Sequence, residues 1–289
     1  MGYESNYLKR MGELLTFHKI INQPKDLNDK NFGAAILEFQ EKVNIMLDGN
    51  PQWETLWQLQ FPMVLQEPKL SFIRCEADQL PDSQGDNHLW LRQDAAEKFN
   101  ALRNEVIELG GIVTTAGGRR SLQEGTSTDR SVTSMHYAGL AFDLASDTGF
   151  FKPETDPYVI TLGGSGFWEV WCRVKKGDAM KMNAVYWEHW NSGTDCSKTI
   201  TGQFVNFTSL CAKYGFHPIR PRLSFTRPKD RKYTGCEWWH FQAADLLFPH
   251  ISQFGIELLR IDEYSPESIR TANENLWNRR QAIFQVDWL

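Results

Sequence analysis

An imidazole and a carboxylate seven positions apart, on a run that alternates like a strand, constrain this chain more than any other feature. The run is Ser134-Met135-His136-Tyr137-Ala138-Gly139-Leu140-Ala141-Phe142-Asp143. In its tail, Gly139, Ala141 and Asp143 share one face of an extended segment, and Leu140, Phe142 and Leu144 the other. Asp143 is therefore expected on a rigid strand, on a face kept narrow by Gly and Ala, where another group can approach closely. His136 is expected at the mouth of that strand. Far downstream, Glu237-Trp238-Trp239-His240 adds a second imidazole, with a carboxylate three residues before it. A fold that uses both stretches must bring two distant segments together.

His136, Asp143 and His240 make three N/O ligands, the number a catalytic zinc site takes from the protein while a fourth position stays open to water. Glu237 is left over and is well placed as a general base. Taken singly, a His near a strand is more often a hydrogen-bonded structural residue, and an Asp after an apolar run more often a turn or cap. The combination is what points to a metal.

The two motifs, S-x-H-x-x-G-x-A-x-D followed by E-x-W-H, resemble those of the zinc D-Ala-D-Ala carboxypeptidase and L-alanyl-D-glutamate endopeptidase family. That family includes phage endolysins and, as a distant relative, the Hedgehog signalling domain. The resemblance implies an α+β fold in which an antiparallel sheet with flanking helices carries a Zn2+ site. It also implies a substrate, the stem peptide of peptidoglycan. In such proteins an Arg before a Ser reaches into the site and holds substrate and oxyanion. Within Gly117-Gly118-Arg119-Arg120-Ser121, Arg120 matches by its following Ser121, and Arg119 is the near rival. A guanidinium suits the alkoxide formed when a peptide bond is attacked; the plainer reading is two solvated arginines in a turn. By the same resemblance Ser134, Trp239 and Arg119 are expected to contact substrate.

Residues 1–62 read as a small helical unit. Leu8, Met11 and Leu15 recur at helical spacing before Pro24, and Ala35, Ile36, Phe39 and Val43 mark a second helix. Asp48-Gly49 signals a turn, and Trp53, Leu56, Trp57 and Leu59 a third helix. The run Ala34–Gln40, the Asp48-Gly49 turn and Thr55-Leu56 resemble the three-helix peptidoglycan-binding module, although Gln52-Trp53 stands where that family usually has Gly-Pro. Pro62, Pro68, Pro81 and the polar run Asp82–Asn87 suggest a connector over 63–88, leaving 89–289 as the zinc peptidase domain.

That domain opens with a helix through Ala96, Phe99, Leu102, Val106 and Leu109, ended by Gly110-Gly111, and then a β-prone Ile112–Thr115. A Trp-rich insertion over 150–200 carries strand-like Tyr158–Thr161 and Phe167–Val174, and its role is open from the sequence. Glu188-His189 within it is a tempting second metal pair, but adjacent side chains point apart. Phe204–Tyr214 reads as a helix, Leu223–Thr226 as a strand and Glu237–Phe241 as a strand-like run. Glu237 and His240 fall on opposite faces of an ideal strand, so a bend is required if both meet one ion. Ser265-Pro266 starts a last amphipathic helix through Ile269, Ala272, Leu276 and Ile283.

A formal net charge of −5 gives no electrostatic footprint for nucleic acid. No run approaches the ~20 apolar residues of a membrane span. Met1 to Lys19 lacks the apolar core of a signal peptide. The five cysteines form no C-x-x-C and are expected as reduced, buried thiols. The resulting expectation is a protein made in the cytoplasm without a Sec signal that acts at the cell wall or periplasm after lysis or non-Sec export. It would be a lytic endolysin or a secreted antibacterial effector, the latter implying an immunity protein. Two other readings stay open. One is a non-catalytic Hedgehog-like zinc module that binds wall glycan or a protein. The other is a zinc peptidase acting on protein or free dipeptides.

Overall fold

The computed structural model describes residues 5–124, 131–163, 166–187, 195–222, 235–272 and 283–284. It is an α+β protein whose named sheets are all antiparallel. The chain divides into two compact units: Met1–Ser71 with Leu122–Ser134 and Leu247–Leu289, and Phe72–Ser121 with Met135–Leu246. This division differs from the expected one. The supposed connector carries a strand, and the C-terminal segment groups with the N-terminal helices.

In the first unit, helices α1 (Ser5–Phe17), α2 (Phe32–Lys42) and α3 (Trp53–Val64) bury one apolar stripe each. Met11, Leu14, Leu15, Ile36, Phe39, Leu56 and Leu59 form their shared core, with Ile251 from the C-terminal segment. The Asp48-Gly49 turn is fastened from inside by buried Gln40. Its carbonyl accepts the Asp48 and Gly49 N–H groups (3.1 and 2.9 Å), and its amide donates to Asp48 Oδ1 and Thr55 Oγ1 (2.8 and 3.0 Å). Gly49 lies at φ +69°, which a residue with a Cβ adopts only with strain. The helix begun at Ser265-Pro266 is described over Pro266–Ala272; Leu276 lies outside the described residues.

In the second unit, β1 (Phe72–Glu76) pairs with β2 (His88–Arg92), which leads into α4 (Gln93–Glu108). Gly110 at φ +81° ends α4 as its N–H returns to Ile107 O. Ile112–Thr115 forms no regular strand; it makes single bridges, Thr115 to Asp86 and, two residues on, Gly117 to Asp143.

The expected insertion is a sheet of its own. In it β4 (Tyr158–Leu162), β5 (Trp168–Trp187) and β6 (Asp195–Asn206) stand in that order. Val159, Ala184, Ile200 and Phe204 pack as its core. Glu188 and His189 lie outside the described residues. Helix α5 is shorter than expected, Phe207–Lys213, because Asn206 stays extended and caps it, its side chain accepting Ser209 N–H at 2.9 Å.

The site sheet is small: β3 (Ala141–Asp143), β8 (His240–Gln242) and β7 (His217–Pro218), in that order. Phe142 anchors it. Its ring meets Phe99 of α4 at 5.0 Å, Phe216 at 5.1 Å and Phe241 at 5.5 Å. The apolar face read from the alternation is thus the face that holds the sheet to its helix.

Cys75, Cys172, Cys211 and Cys236 are buried free thiols. Burial pushes Cys75 up to about 11 and Cys172 up to about 12. A raised acid pKa keeps the folded-state proton after the unfolded chain has lost it. Stability is therefore full below the unfolded thiol value of ~8.5 and falls as pH rises beyond it. The urea midpoint is expected to drop between pH 8 and pH 10. These four thiols should resist alkylation at pH 8 until urea unfolds the chain, as read by intact mass.

Candidate metal centre

The β3–β8 register sets Asp143 directly opposite His240. Facing residues of an antiparallel pair share a side of the sheet, so carboxylate and imidazole meet without any loop rearrangement. His136 sits on the tight turn Met135–Ala138 that feeds β3. Gly139, at φ +64°, then returns its N–H to His136 O and lets the chain enter the strand.

The three side chains converge. His240 Nδ1 is 2.9 Å from Asp143 Oδ1, His136 Nε2 is 3.2 Å from Asp143 Oδ2, and the two ring nitrogens are 3.2 Å apart. One ligand atom from each lies within 4.8 Å of the others, a group that could hold a metal ion. His136 and His240 are buried and Asp143 is mostly so. His136 Nδ1 lies 2.5 Å from the Gly118 carbonyl. A carbonyl only accepts, so Nδ1 carries a proton there and Nε2 is the nitrogen that faces the cluster. This is the outer-shell arrangement of metal-bound histidines. Gly118 is required there: a Cβ would stand 2.5 Å from Trp90 O.

Electrostatics agree with a cation site. Burial pushes the Asp143 pKa up, but the charges of His136 and His240 and their hydrogen bonds more than offset it, leaving it far below the carboxylate range. Burial pulls His240 down, and Asp143 more than restores it, so its pKa is raised.

Glu237 supplies the required bend itself. It has φ +52°, Trp238-Trp239 form a turn, and the strand begins only at His240. The expected strand-like run over Glu237–Phe241 is therefore three residues of strand after a turn. Burial raises the Glu237 pKa, with His240 and then Arg222 working against it. Arg222 Nη2 is 3.2 Å from Glu237 Oε1.

Arg120 donates its backbone N–H to His136 O at 2.9 Å, and its guanidinium lies 5.4 Å from the Tyr137 ring. Arg119 is laid over Phe72 at 4.2 Å. Trp239 O accepts Leu144 N–H at 2.9 Å, and its ring meets Trp238 edge-on. Ser134 is the last residue before the His136 turn and groups with the first compact unit. Arg222, Gly118 and Gln242, which hydrogen-bonds His240, escaped the sequence reading. Nothing local to Arg222 or Gln242 marks them; the only signal for Gly118 was its place in a Gly-Gly-Arg-Arg turn.

Gly139→Ala is expected to destabilise the protein by about 2–4 kcal/mol, combining left-handed strain with overpacking. Its Cβ would lie 2.5 Å from Phe72 Cε1 and 2.7 Å from the Arg92 nitrogen. Denaturant unfolding measures this.

These observations define a class: an α+β protein with a buried two-histidine, one-aspartate centre and a glutamate beside it. Comparison with protein-family models, with curated proteins and with solved structures found no match. Among the described residues no helix is long and apolar enough to cross a membrane.

Proposed function

We propose that this chain is a zinc-dependent peptidoglycan peptidase that hydrolyses a stem-peptide bond, as an L-Ala–D-Glu endopeptidase or a D,D-carboxypeptidase. One observation carries the reading: His136, Asp143 and His240 converge, and Glu237 reaches their vicinity through a left-handed bend. Two imidazoles and a carboxylate suit zinc, and three protein ligands are the catalytic number. What a bound zinc ion would supply is Lewis acidity, polarising the scissile carbonyl and acidifying a water. His136, oriented by Gly118, and His240, oriented by its β3–β8 pairing, hold the ligand geometry. Glu237 accepts a proton from the attacking water and passes one to the leaving amine. Arg120 is assigned the oxyanion or a substrate carboxylate. Trp239, Ser134 and Arg119 are assigned substrate contacts.

The N-terminal helices are read as a wall-docking unit. The setting is a lytic one, an endolysin or an antibacterial effector with an immunity partner, acting at the wall after lysis or non-Sec export. One observation favours a second reading: Glu237 is ion-paired with Arg222, as a structural carboxylate would be. In that case the centre is a non-catalytic, Hedgehog-like zinc module binding glycan or protein. A digest of purified sacculi, read by mass spectrometry, separates these. New termini at L-Ala/D-Glu, or release of terminal D-Ala, support the peptidase and identify the bond. No cleavage by a protein shown to hold zinc removes it in favour of the binding module.

A further inference from the structure

The β4–β5–β6 sheet has no part in the chemistry above, yet one of its side chains ends beside the proposed general base. We infer that Trp168 is a positioning residue for Glu237: its indole N–H fixes the peptide plane from which the left-handed Glu237 departs. The inference rests on the proposed function for its catalytic meaning and on geometry alone for its structural one.

Glu237 adopts φ +52°, a conformation disfavoured for any residue with a Cβ. Such a residue persists when its surroundings over-determine it. The peptide joining Cys236 to Glu237 is planar, so whatever fixes the Cys236 carbonyl also fixes the Glu237 N–H on the other side of the same plane. That carbonyl accepts Trp168 Nε1–H at 2.8 Å, with both residues buried. One side of the Glu237 φ rotation is thereby set from strand β5.

Trp168 is itself held. Its ring packs edge-on against Phe150 at 5.6 Å, its backbone pairs with Leu162, and Val170 N–H two residues on donates to Thr208 Oγ1 at 2.9 Å. Beyond Glu237 the chain is pinned again. Trp238 is buried in a slot opened by Gly149, where a Cβ would stand 2.8 Å from Trp238 Cη2, and it faces Tyr158 of β4. His240 N–H then donates back to Glu237 O at 3.2 Å. Strands β4 and β5 thus brace the bend from both sides. A phenylalanine at 168 would keep most of the packing and lose the hydrogen bond that orients the peptide.

The test uses the full chain with Trp168→Phe, and with 3-benzothienylalanine installed at position 168, which keeps the indole shape but has sulfur in place of N–H. The second variant answers if the first fails to fold. For folded, zinc-loaded protein, kcat is expected to fall by about 10–100-fold, the cost of displacing a reacting group by roughly 1 Å. KM should stay within about twofold and zinc per chain should be unchanged. A merely structural role would lower Tm and leave kcat per folded molecule where it was, and that result overturns the proposal. Exchange of the His240 amide hydrogen, read without substrate, is expected to quicken by about tenfold as the bend loosens. If the wild type cleaves no wall peptide, the proposed function fails, and this exchange rate decides the positioning claim by itself. Unchanged exchange in both variants overturns it.

Discussion

Glu237→Ala is expected to lower kcat by about 10²–10⁴-fold while zinc per chain stays at the wild-type value. The asymmetry follows from the geometry. The three converging ligand atoms belong to His136, Asp143 and His240, and Glu237 is not among them. Its carboxylate is nonetheless close enough for His240, Asp143 and His136 all to act on its ionisation. Folding cost should be small, because the partner left behind, Arg222, has its side chain 36% exposed and can be resolvated. The pH dependence has a definite sign. Burial raises the Glu237 pKa, so the base form appears only above the ordinary glutamate value. The acid limb of kcat/KM should rise through a midpoint above 4.5, and in Glu237→Ala that limb should vanish with the rate. Sacculus digestion across pH, with zinc quantified on the same samples, measures both. Wild-type rates in Glu237→Ala would remove the general base from the mechanism.

His136→Ala, Asp143→Ala and His240→Ala are each expected to abolish stoichiometric zinc and, with it, all hydrolysis. Two ligands seldom retain what three hold, and here each is tied to the others. Removing His136 leaves the Gly118 carbonyl without its imidazole donor, and removing Asp143 takes away the charge that keeps the His240 pKa raised. In Asp143→Ala, His240 should titrate below its wild-type value, which NMR of the metal-free protein can read. Chelation of the wild type should lower Tm as well. A ligand bound only by the folded state stabilises by about 4 kcal/mol at a thousandfold excess over its Kd. Full zinc in any one of the three variants would displace that residue from the centre.

Which residues converge in the candidate centre was legible in the sequence, because ligand types and short-range alternation are local properties. His136, Asp143, Glu237 and His240 declared themselves by identity and spacing, Phe142 by its place on the apolar face, and the N-terminal helices by their period. What tertiary structure alone decided are relations between segments distant along the chain. The register that sets Asp143 against His240 depends on how β3 and β8 pair, and periodicity names a face without naming its partner. The need for a bend near Glu237 was readable, but its residue was not: the left-handed turn falls on a glutamate, where local preference would put glycine. Likewise the Gly118 carbonyl, Arg222 and Trp168 make contacts with His136, Glu237 and Cys236 that no local sequence signal foretells. The C-terminal segment joined the N-terminal helices because Ile251 completes their apolar core, and burial area is indifferent to order along the chain.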